Sequence, residues 1–116
     1  MRMPVELSNP EDAKIVTLAK ATRLRTGSGQ GAAVRDLDGR TYAAAPVALP
    51  SLRLSALQLA VAMAVSSGAK GLEAAAVSVD ADPDDADLAA VRELAGTGID
   101  VIIADARGTA TSVRQT

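Results

Sequence analysis

Five aspartates crowd one short stretch, Asp80-Ala81-Asp82-Pro83-Asp84-Asp85-Ala86-Asp87. Carboxylates at this density can ligate a hard cation through oxygen. The stretch lacks the central glycine and terminal glutamate of an EF-hand loop. A simpler reading needs no ion: Asp82 caps a helix and the other acids sit at its positive end. Ser51 and Ser55 carry hydroxyls that a base could turn into nucleophiles, but the chain has no histidine to take the proton. Lys14, Lys20 and Lys70 lie in polar, exposed-looking contexts, so cap or packing roles suit both serines better. Gly27-Ser28-Gly29-Gln30-Gly31 is glycine-rich enough to wrap a phosphate. It follows a helix and precedes a strand, however, the reverse of a dinucleotide fingerprint, and reads as a flexible loop. Arg23 and Arg25 could clamp an anion, and a solvated helix end accounts for them equally.

Composition removes whole classes of chemistry. Among 116 residues there is no cysteine and no histidine. Disulfides, thiolate nucleophiles, imidazole bases and the usual zinc sites go together. We therefore expect no cofactor and no metal. Net charge is −2, the basic residues are scattered, and Tyr42 is the sole aromatic. Neither the electrostatic stripe nor the stacking platform of a nucleic-acid binder is present. The start, Met1 to Leu7, has no apolar leader core, and the longest apolar run falls short of the roughly 20 residues of a membrane span. The expectation is a cytoplasmic protein, with no membrane partner.

The elements that would position any site follow from caps and periodicity. Asn9-Pro10-Glu11-Asp12 opens a helix whose apolar face is Ile15, Leu18, Ala19 and Thr22, ending before the glycines at 27, 29 and 31. Gly31–Arg35 and Arg40–Ala44 flank Asp38-Gly39, a hairpin signal. Pro46 and Pro50 bracket a loop, and Ser51 caps a second helix running to about Ser67. Glu73–Val79 reads as a strand. A third helix follows Asp82-Pro83 and ends near Gly96. Asp100–Ala104 and Thr109–Val113 are strands whose short link forces them antiparallel. The middle reads β-α-β-α-β, with parallel, right-handed crossovers. The second helix is unusual. Between Leu54 and Val65 only Ser55 and Gln58 are polar. A helix apolar all round is buried all round. In a domain this small a partner subunit is the expected cover, with Leu54, Gln58, Val61, Ala62 and Val65 at the interface and Gln58 hydrogen-bonding across it.

Gly31-Ala32-Ala33-Val34 with Asp38-Gly39-Arg40-Thr41-Tyr42 resembles the "GAAV…DGR.Y" hairpin of the free-nucleoside cytidine deaminases. Leu54-Ser55-Ala56 through Ala60, then Ala64-Val65-Ser66 and Gly68, is similar to that family's "LCAERTAIFKAVSEG" without a gap. Ile102-Ile103-Ala104-Asp105 and Gly108 resemble its penultimate strand and turn. The resemblance covers about residues 11 to 113. It implies a three-layer fold, a mixed five-stranded sheet with helices packed on it, in the order α-β-β-α-β-α-β-β, as one domain over 1–116. In the family, zinc is held by a Cys or His of "C-A-E" and by two Cys of "P-C-x-x-C", and the Glu moves protons. The resemblance places the first ligand on Ser55, the proton shuttle on Leu57 and the cysteine pair near Asp85 to Leu88. The family's sugar-binding Asn and Glu fall on Pro46 and Ala48, its stacking Phe near Ser28.

With those groups gone, the sequence reads as a pseudoenzyme: not an enzyme, without zinc, its role structural or protein-interacting through a homodimer or homotetramer. Leu57 suggests a former active-site end packed with side chains. Alternatives are a nucleoside-like sensor with a residual pocket (Ser28, Pro46, Ala48 and Ser55 as its candidates), an inactive subunit beside an active enzyme or another protein partner, and, last, a carboxylate enzyme using a hard metal.

Overall fold

Helix α1 spans Pro10–Thr26. It starts where Asn9 Oδ1 accepts from the Glu11 N–H at 2.9 Å and Pro10 takes the first helical position. It stops at Gly27, whose φ of 66° closes the helix in the left-handed region. The computed structural model describes residues 4 to 116; the first three residues of the stretch read for a leader lie outside it.

Strands β1 (Gln30–Asp36), β2 (Thr41–Ala44), β5 (Leu72–Val79), β6 (Asp100–Ala104) and β7 (Ala110–Gln115) make one sheet in the order β2-β1-β5-β6-β7. β5 and β6 are parallel; the other neighbours are antiparallel. The expected mixed five-stranded sheet is therefore present. β2 and β5 both run against β1, so they share a direction, and helix α2 (Ala56–Ser66) carries the chain between them past β1. Helix α3 (Asp85–Ala95) makes the crossover from β5 to β6.

Alternation along the strands builds three layers. Ala33, Ala74, Ala76 and Ile102 face α1, packed on Ile15, Val16 and Ala19. Val34, Ala75, Val77, Val101 and Ile103 face α2 and α3, packed on Leu57, Ala60, Val61, Leu88 and Val91.

Two local expectations are corrected. The proline-bracketed loop is a second hairpin, β3 (Val47–Leu49) with β4 (Leu52–Leu54), turning at Pro50-Ser51. The prolines flank β3 without occupying a paired position. Ser51 therefore lies in a turn, and Ser55 caps α2. Likewise Asp84, not Asp82, caps α3. Among the described residues no helix is long and apolar enough to cross a membrane.

The β1–β2 hairpin is stapled by Asp36, which is buried. Its carboxylate accepts from the Asp38 and Arg40 N–H groups and from the Tyr42 hydroxyl, each at 2.9 Å. Burial opposes its charge, but the Arg40, Tyr42 and Asp38 donors together outweigh it and hold its pKa below the ordinary value. The same bond to Asp36, helped by burial, raises the pKa of Tyr42. Asp36 therefore stabilises the fold fully above its unfolded value of about 3.9, and that contribution is lost as pH falls through the folded value. The Tyr42 contribution is whole below about 10 and is lost as pH rises through its folded value. Since Tyr42 is the sole aromatic, tyrosinate absorbance reports it alone. We expect titration above the ordinary tyrosine range, moving back toward it in Asp36→Asn. An ordinary titration in the native protein would show that the staple does not form in solution.

Candidate functional site

The N-termini of α2 and α3 face each other across the end of β5, and the sequence fixes both starts. Ser55 has extended φ and ψ, and its Oγ accepts from the Gln58 N–H at 3.1 Å. Gln58 Oε1 accepts in return from the Ser55 N–H at 3.0 Å. This reciprocal capping box occupies the Gln58 amide oxygen within its own helix. Gln30, at the start of β1, takes the Ala56 N–H on its Oε1 at 3.0 Å. On α3, Asp84 Oδ1 accepts from the Asp87 N–H at 3.0 Å. The Asp87 carboxylate turns across the gap and receives the Ser55 hydroxyl proton at 2.6 Å.

Beside these two starts opens a cleft of about 390 Å³. Leu57, Val77 and Val79 give it an apolar floor; Gln30 and Pro46 form one side, and the 80–84 loop with Asp87 forms the other. Arg23 reaches from α1 to Asp80 at 2.7 Å behind that loop. The buried Ser78 hydroxyl donates to the Asp105 carbonyl at 2.9 Å. The rim carries the carboxylates of Asp80, Asp82, Asp84 and Asp87, which accept hydrogen bonds when ionised. Ser55 Oγ is engaged twice, accepting from the Gln58 N–H and donating to the Asp87 carboxylate.

The expected site residues separate. Leu57 and Pro46 line the cleft, and Ser55 lies beside it, bonded to the lining residue Asp87. Leu57 is packed into the core as expected, yet the cleft beside it is open. Ser28 Oγ instead bonds the Gln30 carbonyl at 2.8 Å, and Ala48 is exposed on β3. In the stretch that resembles the cysteine pair, near Asp85 to Leu88, Asp85 is exposed and Leu88 is core, while Asp87 meets Ser55. Asp84 and Asp87 were read only as part of the acidic stretch, and Gln30 only as part of the glycine-rich loop. The signal for the first two was Pro83, since Pro83-Asp84-Asp85-Ala86-Asp87 keeps the proline and the spacing of "P-C-x-x-C". Nothing in the sequence singles out Gln30.

Zinc, which the resemblance implies, does not fit this donor set. Its sites are built mainly on Cys and His, with carboxylate oxygens as further ligands; here neither Cys nor His is present, Asp87 Oδ1 accepts from Ser55 Oγ, and Asp84 is engaged as a cap. Among the described residues no group of three or more His, Cys, Asp or Glu could hold a metal ion.

On the outer side of α2 the proposed interface residues also separate. Val61 is buried in the domain's own core and cannot meet a partner; Leu54 is half-buried. Ala62 and Val65 are exposed, with Met63, which the sequence reading omitted. They adjoin a shallow groove shared by Tyr42 and Leu59.

A family model described as cytidine deaminase-like matches residues 8–108. Among solved structures, the cytidine deaminase of Burkholderia pseudomallei is 24% identical, with 89% of each chain covered and a TM-score of 0.73. That of Mycobacterium leprae is 17% identical, covering 95% of this chain and 94% of that one, at 0.70. That of Bacillus anthracis is 15% identical, covering 92% and 84%, at 0.67. No curated protein matches the sequence. The expectation that the chain is not an enzyme is corrected by these matches: the similar structures are of enzymes, and missing zinc ligands identify which groups are gone without showing inactivity.

Proposed function

The chain belongs to the cytidine deaminase-like family, and from that premise we propose that it binds a small nucleoside-like molecule in the cleft between the starts of α2 and α3, as a cytoplasmic homodimer or homotetramer. One observation carries the binding half. The cleft is open, with an apolar floor and a polar rim, and its 390 Å³ falls within the usual range of small-molecule sites. An apolar floor suits the face of a base, and a rim of acceptors suits amino and hydroxyl donors. The assembly half is supported by the unpaired apolar strip of Ala62, Met63 and Val65 on α2, which a second copy would cover.

A thermal-shift panel of pyrimidine and purine nucleosides tests binding. A melting temperature that climbs with ligand concentration is expected, since a ligand at 100 times its Kd stabilises by about 2.7 kcal/mol. Chromatography of the same samples shows whether the bound nucleoside is changed. No shift across the panel at millimolar concentration would overturn the binding half. Native mass spectrometry tests assembly: a dimer or tetramer is expected, reduced to monomer by Met63→Glu. A monomeric native protein would overturn it.

A further inference from the structure

We infer that the hydrogen bond between Ser55 and Asp87 has taken over the mechanical task of a metal ion, locking the start of α2 to the start of α3. Three observations combine. First, the misfit with zinc is specific: the positions matching two metal ligands, Ser55 and Asp87, bond to each other directly at 2.6 Å. Second, each of these residues belongs to a cap that already fixes its own helix, Ser55 Oγ by accepting from the Gln58 N–H and Asp87 by donating its backbone N–H to the Asp84 carboxylate. A bond between two caps transmits position from one helix to the other with little slack. Third, the Asp87 carboxylate reaches the neighbouring helix, although its backbone N–H is tied to its own helix start. A hydroxyl donating to a carboxylate at this distance is among the stronger hydrogen bonds. Ser55 and Asp87 are thus positioning residues that hold one wall of the cleft without an ion. The inference does not depend on what the cleft binds.

The test is a double-mutant cycle in denaturant, with a chelator arm. Asp87→Ala should lower the folding constant by about tenfold and Ser55→Ala by more, since it also removes the α2 cap, while the double variant should lose about tenfold less than the product of the two. Ser55→Thr, which keeps the hydroxyl and the cap, should recover most of the loss; a cap role alone predicts no dependence on Asp87. The native protein should unfold at the same temperature with and without chelator. The triple variant Ser55→Cys, Asp84→Cys, Asp87→Cys should bind one Co²⁺ with thiolate absorption bands and become chelator-sensitive. Additive losses in the cycle, or a native protein destabilised by chelator, would overturn the inference. A triple variant that folds but takes no Co²⁺ would overturn the assignment of these positions.

Discussion

Gly31→Ala is expected to destabilise the fold by about 3 kcal/mol, near the top of the range for overpacking. The reason is space. A Cβ at Gly31 would lie 2.0 Å from the Ala19 carbonyl oxygen and 2.9 Å from the Arg23 nitrogen. Both obstacles are helix backbone, so no side chain can swing aside; α1 itself must lift from β1. Lifting it would loosen the contacts of Ile15, Val16 and Ala19, which are the core of that layer. Gly29→Ala is the control. A Cβ there meets nothing within 4 Å, and its effect should stay within about 0.5 kcal/mol. Urea unfolding reads both: the midpoint should fall for Gly31→Ala at unchanged slope, with a melting temperature lower by roughly 10 °C. A Gly31→Ala protein as stable as the native one would mean that α1 does not pack this closely in solution.

That close approach also explains what the sequence did and did not reveal. Caps, a hairpin signal and one clean apolar strand, Val101-Ile102-Ile103, made the element order legible, because these are local effects of a few residues. The alanines of β5 were harder to read as a strand, since alanine has little strand preference. Their reason is tertiary: Gly31, Ala33, Ala74 and Ala76 let a helix lie against the sheet where larger side chains would hold it away. The β3–β4 hairpin stayed hidden because its prolines read as loop punctuation. At the site, Ser55 and Leu57 were found through the resemblance of one helix to the family's. Asp87 was one of five in the acidic stretch; what sets it apart is a contact with a residue 32 positions away. The apolar circumference of α2 was legible, but not which side the domain keeps for itself; Val61 went inward and Met63 outward.

Arg35→Met should be as damaging as the change at Gly31, by a different route. Arg35 lies on the α1 side of β1 with only 7% of its side chain exposed. Its Nη2 donates to Asp12 in the first turn of α1 at 2.9 Å, and its Nε to Glu73 at the start of β5 at 3.0 Å. Burial works against the charge, yet the hydrogen bonds to Asp12 and Glu73 outweigh it and raise the guanidinium pKa. Three elements therefore meet on one cation. Methionine would fill much of the volume but leave two carboxylates facing each other without it. Removing one member of a buried ion pair costs about 3–5 kcal/mol, and the lower end is expected because Glu73, 46% exposed, can turn to water. Asp12, 20% exposed, has less freedom to do so. The site is not ideal even when intact: Arg35 Nη1 is buried and finds no partner among the described residues. Replacing all three charges by apolar groups should therefore restore most of the stability that Arg35→Met loses. Arg35→Lys should not, since a single ammonium lacks the fork that spans both carboxylates. Denaturant midpoints of the single and triple variants decide the matter. An Arg35→Met protein within 1 kcal/mol of the native one would show that α1 is held by its apolar face alone, and that the ion triad only marks where its first turn lands.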